Sequence, residues 1–260
     1  MKTCVSAGLL LFGSVCFAQV PLDRGSPNQA AYPESESAAA WQALAACCMR
    51  KALKDHTVDK DPTLNARVDT VMAAVGAAAA AIDVRFANSS WTSILIEDFG
   101  HGAVAFPGET ILVDATFVRT LQLSDDELAL IFSHEAAHVL AGHASAKLSF
   151  MAEFLGKEKL PTARKALLEF LADDSYAAVF RPTARLQERE ADTVGAAILF
   201  ASGYDSQRAL KLFDKLAERE TREHEWAPDF HDAANVRKQI VSGALAELQQ
   251  VHARRGSEPR

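Results

Sequence analysis

Hydrophobic positions along the chain recur mostly at helical spacing, and that rhythm breaks once. An alanine-rich segment from Ser37 to Lys54 carries Trp41, Leu44 and Leu53. A second segment, opening at Asp61-Pro62-Thr63, places Leu64, Val68, Val71, Met72 and Val75 three or four residues apart. Such spacing puts one apolar stripe on each of two helices. From Asp83 the period shortens. Val84-Arg85-Phe86, Trp91 to Glu97 and Thr110 to Val118 are β-rich runs separated by Gly100, Gly102, Pro107 and Gly108, and they predict a small sheet. Helical periodicity then returns over Leu128 to Ala141, Leu148 to Leu155, Ala163 to Phe180, the stretch after Arg185, Gln207 to Arg222 and Ala233 to Ala253. The pattern predicts an α+β fold, mainly α-helical, with a small β-sheet beside one long apolar helix.

That apolar helix has marked ends. Ser124-Asp125-Asp126-Glu127 is a capping box, in which Ser124 and Glu127 satisfy each other's free amides, and Gly142 stops the helix with His143 just beyond it. Ten residues in comes Ser133-His134-Glu135-Ala136-Ala137-His138. Each helical residue turns about 100°, so His134 and His138 share a face and can grip one ion, with the Glu135 carboxylate beside them. Two imidazoles and a general base on one helix are what a zinc hydrolase needs. The plainer reading is a helix that happens to carry two histidines.

A metal site needs a third ligand. A further histidine six residues after His138 is excluded because Ala144 stands there, and Ala141 replaces the glycine that would accompany it. A later helix offers Glu188 and Asp192, four apart on one face. Glu188 would complete a His2Glu set with an open fourth position, and Asp192 would fix a ligand histidine's tautomer. Arg185, Glu188, Arg189 and Asp192 could instead form a surface stripe of ion pairs. The apolar Val194, Ala197, Ile198 and Leu199 that follow favour burial.

Composition narrows the remaining classes. The 260 residues are 49% hydrophobic, enough for one sizeable core, expected over 37–253. A net charge of −7 without a basic cluster excludes a nucleic-acid footprint, and there is no polybasic patch for anionic lipid. Lys2, the apolar Gly8 to Phe12 and the small residues up to Ala18 read as a signal peptide over 1–18, cleaved after Ala18. Lipidation at Cys16 fits poorly with Gly13-Ser14-Val15 before it, and no later stretch is apolar enough to span a membrane. The Pro-, Gly- and Ser-rich 19–36 reads as a disordered linker, and 254–260 as a polar tail. Export would leave Cys47 and Cys48, read as small buried residues on a helix face, with a disulfide still open to them. Segment 144–182 either packs against the site or forms a lid, and Asp173-Asp174 reads as a solvated or capping pair. Ile111-Leu112-Val113 either offers a free edge to an extended peptide or is an ordinary paired strand.

His-Glu-x-x-His at His134 to His138 and Glu-x-x-Ala-Asp at Glu188 to Asp192 resemble the gluzincin peptidases of the HtpX and Oma type. The chain is most similar to their soluble periplasmic BepA-like branch. The likeness runs roughly from Ala66 to Leu248 and includes Asp126-Glu127-Leu128-Ala129, Arg185, Gly203-Tyr204-Asp205, and His231 followed by Arg237. It implies a zincin-like core and a zinc metalloendopeptidase with one Zn2+ per chain, held by His134, His138 and Glu188. Glu135 would be base and acid, and Asp192 a partner of a ligand histidine. It also places His231 and Arg237 at the cleft, to stabilise an oxyanion or regulate access to the metal, and implies polypeptide substrates in the cell envelope and an exported, periplasmic protein. The sequence departs from the pattern at Asp232, where proline is usual, and at Gly102 to Phe106, where an Asn-Ala-Phe segment is common. The rival readings are a zinc-held chaperone or binding module with latent proteolysis, and a zinc hydrolase of non-protein substrates.

Overall fold

A computed structural model describes residues 30–55, 57–222 and 230–256. The chain runs α1 (Glu34–Lys54), α2 (Pro62–Ile82), a 3-10 turn (Val84–Phe86), β1 (Thr92–Ile96), β2 (Ala103–Phe106), β3 (Thr110–Asp114) and α3 (Ala115–Thr120). It continues through α4 (Asp125–Ala141), α5 (His143–Leu155), α6 (Ala163–Ala172), α7 (Asp174–Ser202), α8 (Ser206–Ala209), α9 (Lys211–Arg222) and α10 (Ala234–Gly256). The architecture is α+β and mainly helical, as the periodicity predicts.

The sheet is ordered β1-β3-β2, with β3 parallel to β1 and antiparallel to β2. Leu112 faces Ile94 on one side and Val104 on the other. Ile111–Val113 therefore has no free edge, and the expectation that a peptide adds there is corrected: β3 is the central strand, between β1 and β2. The four residues of β2 lie between glycines and a proline, too short a run for their alternation to register as a strand. Val84–Phe86 is also not a strand, because the Asp83 side chain accepts the Arg85 amide at 3.0 Å and closes a tight turn instead.

The core is built around α4. Its Leu128, Phe132, Ala136, Ala137 and Leu140 are buried against Val68, Val71 and Val75 of α2 and against Ala191, Val194 and Ile198 of α7. A second cluster joins α1, α5 and α6 through Ala40, Leu148, Met151 and Leu167. It also takes in Tyr32, whose hydroxyl donates to the Leu160 carbonyl at 2.6 Å.

The expected linker over 19–36 thus fails over its last residues: Tyr32 is buried and α1 begins at Glu34. Residues 1–29, with the expected signal peptide, lie outside the described residues, as do 257–260. Helix α10 continues to Gly256, so the polar tail is helical at its start. Cys47 is exposed and Cys48 half-buried, both as free thiols, which corrects the expectation of two buried residues. Segment 144–182 forms α5, α6 and the start of α7, packed into the second cluster, and Asp173 caps α7 by accepting the Ser175 amide at 2.8 Å.

Candidate metal centre

The capping box starts α4 as its sequence predicts. Glu127 N–H donates to Ser124 Oγ at 3.3 Å and Ser124 N–H donates to Glu127 Oε2 at 2.7 Å. At the far end Gly142 takes φ of 72°, a left-handed conformation that costs glycine little, and turns the chain into α5. Helix α7 crosses α4 where Gly195 has no side chain. A Cβ there would stand 3.0 Å from both Cα and N of His134. This close approach brings Asp192 and Glu188, one and two turns earlier on α7, against the two histidines.

The donor atoms converge. His134 Nε2 and His138 Nε2 are 3.1 Å apart, and Glu188 Oε2 stands 3.2 and 3.4 Å from them. Four ligands at zinc distances of 2.0–2.1 Å in a tetrahedron lie about 3.3 Å from one another. The three edges match that figure. Glu188 Oε2 is also buried without a hydrogen bond, although three imidazole nitrogens surround it within 3.4 Å. The residues fit a metal.

Neighbours settle which nitrogens are free. Asp192 Oδ1 is 3.0 Å from His134 Nδ1, and Arg237 grips the same carboxylate with Nη2 at 2.7 Å and Nε at 3.0 Å. Arg237 Nη2 also lies 3.2 Å from His134 Nδ1, but a guanidinium only donates, so the Nδ1 proton belongs to Asp192. That leaves His134 Nε2 facing the convergence point, where a bound cation would take the place of its proton. His138 Nδ1 meets His143 Nδ1 at 2.8 Å, and His143 Nε2 meets Glu190 Oε2 at 3.2 Å. With protons on His143 Nε2 and His138 Nδ1 the relay closes, and His138 Nε2 is free as well.

Residues 62–252 match the pattern of peptidase family M48. The chain belongs to this family. It is therefore a metallopeptidase, a hydrolase with a zincin-like fold, in agreement with the resemblance drawn from the two motifs. It is 28% identical over 181 residues to a protein of Vibrio cholerae serotype O1 named "Putative beta-barrel assembly-enhancing protease". The match covers 65% of this chain and 36% of that relative, so the chain spans about a third of the relative's length.

The electrostatics of this M48 site favour positive charge at the convergence point. Burial raises the Glu188 carboxyl, but His138, His134 and His231 outweigh it and hold it well below the usual carboxylate range. Burial likewise raises Asp192, and Arg237 and His134 hold it low. Burial and Arg237 push His134 down, yet Asp192 and Glu188 carry it up to about 9. Burial pushes His138 down to about 4, which keeps that imidazole neutral and its lone pair available. Burial pushes Glu135 up to about 7. A cation held beside it would draw that value down.

Glu135 shares the cleft with the ligand atoms and is held by the sheet. Its Oε2 accepts the Ala105 amide of β2 at 2.8 Å, and it lines a cleft of about 880 Å³ together with β2, Trp41, His138, Lys147, Glu188 and His231. His231 Nε2 lies 2.8 Å from Glu188 Oε2. His134, Glu188 and His231 bring their ligand atoms within 4.8 Å of one another. Arg237 is placed differently: it stands behind His134 on Asp192 and does not line this cleft. Sequence reasoning missed His143, Glu190 and Gly195. The first two carried a weak signal, since His143 follows His138 by five residues and Glu190 follows Glu188 by two.

Proposed function

We propose that this chain is a zinc-dependent endopeptidase in which His134, His138 and Glu188 hold the metal and Glu135 is the general base. The observation that carries the reading is the triangle of donor atoms with edges of 3.1, 3.2 and 3.4 Å opening on the cleft that Glu135 lines. A zinc ion there would supply Lewis acidity, lowering the pKa of a water and polarising a peptide carbonyl. Glu135 takes the proton from the attacking water, steadied by the Ala105 amide, and returns it to the leaving amine. Asp192, clamped by Arg237, keeps the His134 tautomer, so Arg237 acts through Asp192 rather than on substrate. His231, at the cleft surface, exchanges its Glu188 contact for the oxygen of the bound carbonyl.

The outer edge of β2, beside Glu135, is where an extended substrate would add as a strand. Residues 37–253 would form one peptidase domain, exported and cleaved after Ala18. Envelope proteins are the proposed substrates, supported by the signal-like pattern of 1–18 and the likeness to a relative named for β-barrel assembly. An unfolded polypeptide incubated with the zinc-loaded protein should be cut internally. Chelation should stop cleavage and zinc should restore it, whereas cleavage unaffected by metal removal would refute the reading.

A further inference from the structure

Lys147 stands out because, among the described residues, its charge has no ionic partner. It lies four residues after His143 on α5, hence on the face that His143 turns towards His138, and it lines the same cleft. Its Nζ sits 5.5 Å from the ring centroid of Trp41, 5.2 Å from Phe170 and 5.7 Å from Phe180. Among the described residues no carboxylate is within ion-pair distance of it. The rings come from α1, α6 and α7, and Trp41 is fixed by its Nε1–H donating to the Ala144 carbonyl at 3.1 Å. Burial lowers the Lys147 pKa, opposed only by the charge of Glu188.

Ring faces attract an ammonium, but three aromatic quadrupoles do not replace the hydration of a full charge. A purely structural residue here would gain by being methionine or leucine. A cation retained at this cost, open to a substrate cleft, is fitted to an anion that arrives with the ligand. The four residues from His143 to Lys147 span about 6 Å of helix, close to two residues of extended peptide. The subsite therefore lies one helical turn from His143, which contacts His138, and in the cleft that the proposed ligands line.

We propose that Lys147, framed by Trp41, Phe170 and Phe180, is an anion-selective subsite that takes a carboxylate of the peptide substrate. The carboxylate is an acidic side chain, as an internal cut requires; a C-terminal carboxylate there would mark a carboxypeptidase and is the other outcome of the test. This rests on the peptidase reading, which supplies the peptide. The chain's charge of −7 would disfavour acidic peptides by long-range repulsion, so a preference for them must come from a local contact.

Three matched peptides separate the possibilities: one neutral and amidated, one amidated with a single Glu, and one neutral with a free C-terminus. Their dissociation constants are measured by calorimetry on the zinc-loaded full chain carrying Glu135→Gln, and their turnover on the parent chain. At least one carboxylate peptide should bind about 10- to 100-fold tighter than the neutral one, and which one does so identifies the source. Adding Lys147→Met should bring that ratio to about 1, whereas Lys147→Arg should retain most of it. Equal affinities in the Lys147 protein, or a preference that survives Lys147→Met, would overturn the proposal. If no peptide is cleaved but the preference stands, the peptidase reading fails and the subsite remains.

Discussion

One wall of the cleft is α4 against α7, meeting at Gly195 with His134, His138, Glu188 and Asp192 in one polar network. The other comes from α1, α5 and α6, where Trp41 and Phe170 surround the single charge of Lys147 over a hydrophobic cluster of its own. In the first wall each polar group is held by another, so a small displacement changes which nitrogen is free. In the second, packing carries the structure, and only His143 at the start of α5 reaches across to set a tautomer, that of His138. Metal affinity should therefore depend on the first wall and on His143, and be nearly independent of the hydrophobic packing of the second, although both support the fold.

The largest test lies in the second wall. Met151 is fully buried there, and Met151→Ala should cost about 2–5 kcal/mol in denaturant unfolding. Zinc stoichiometry should stay at one per folded chain; a loss of metal would mean that the walls are not independent. In the first wall, Gly195→Ala drives a methyl against the His134 backbone, which cannot yield as a flexible side chain can. It should cost about 1–3 kcal/mol and weaken zinc binding with it. If stability falls while affinity holds, the helix crossing does not set the ligand geometry. The smallest change is His143→Ala, which leaves the His138 Nδ1 proton without its acceptor. Competition with a chelator should show a roughly 10- to 100-fold weaker zinc affinity, and no weakening would remove His143 from the site.

The same contrast explains what the sequence revealed. The capping box, the His134 to His138 face and the Glu188 to Asp192 face are local spacings, and each stands where its period places it. The remaining features depend on what packs against what. Ile111–Val113 looks open until β2 pairs with it, and β2 is only four residues between turn formers. Gly195 is unremarkable in sequence and acquires meaning only from the His134 backbone, which a Cβ at Gly195 would meet at 3.0 Å. Residues 30–36 look like linker by composition, yet Tyr32 finds the Leu160 carbonyl across the second cluster. His231 and Arg237 entered together by resemblance, and the fold separates them, one onto the cleft and the other behind Asp192.

The central claim is that three residues hold the metal while a fourth, on the same helix as two of them, only moves protons. Metal analysis and peptide turnover on paired variants test it most directly. Glu188→Ala should lose both zinc and activity. Glu135→Gln should keep one zinc per chain while kcat falls by about 10²–10⁴. Full zinc in the Glu188→Ala protein, or unchanged turnover with Glu135→Gln, would contradict the account.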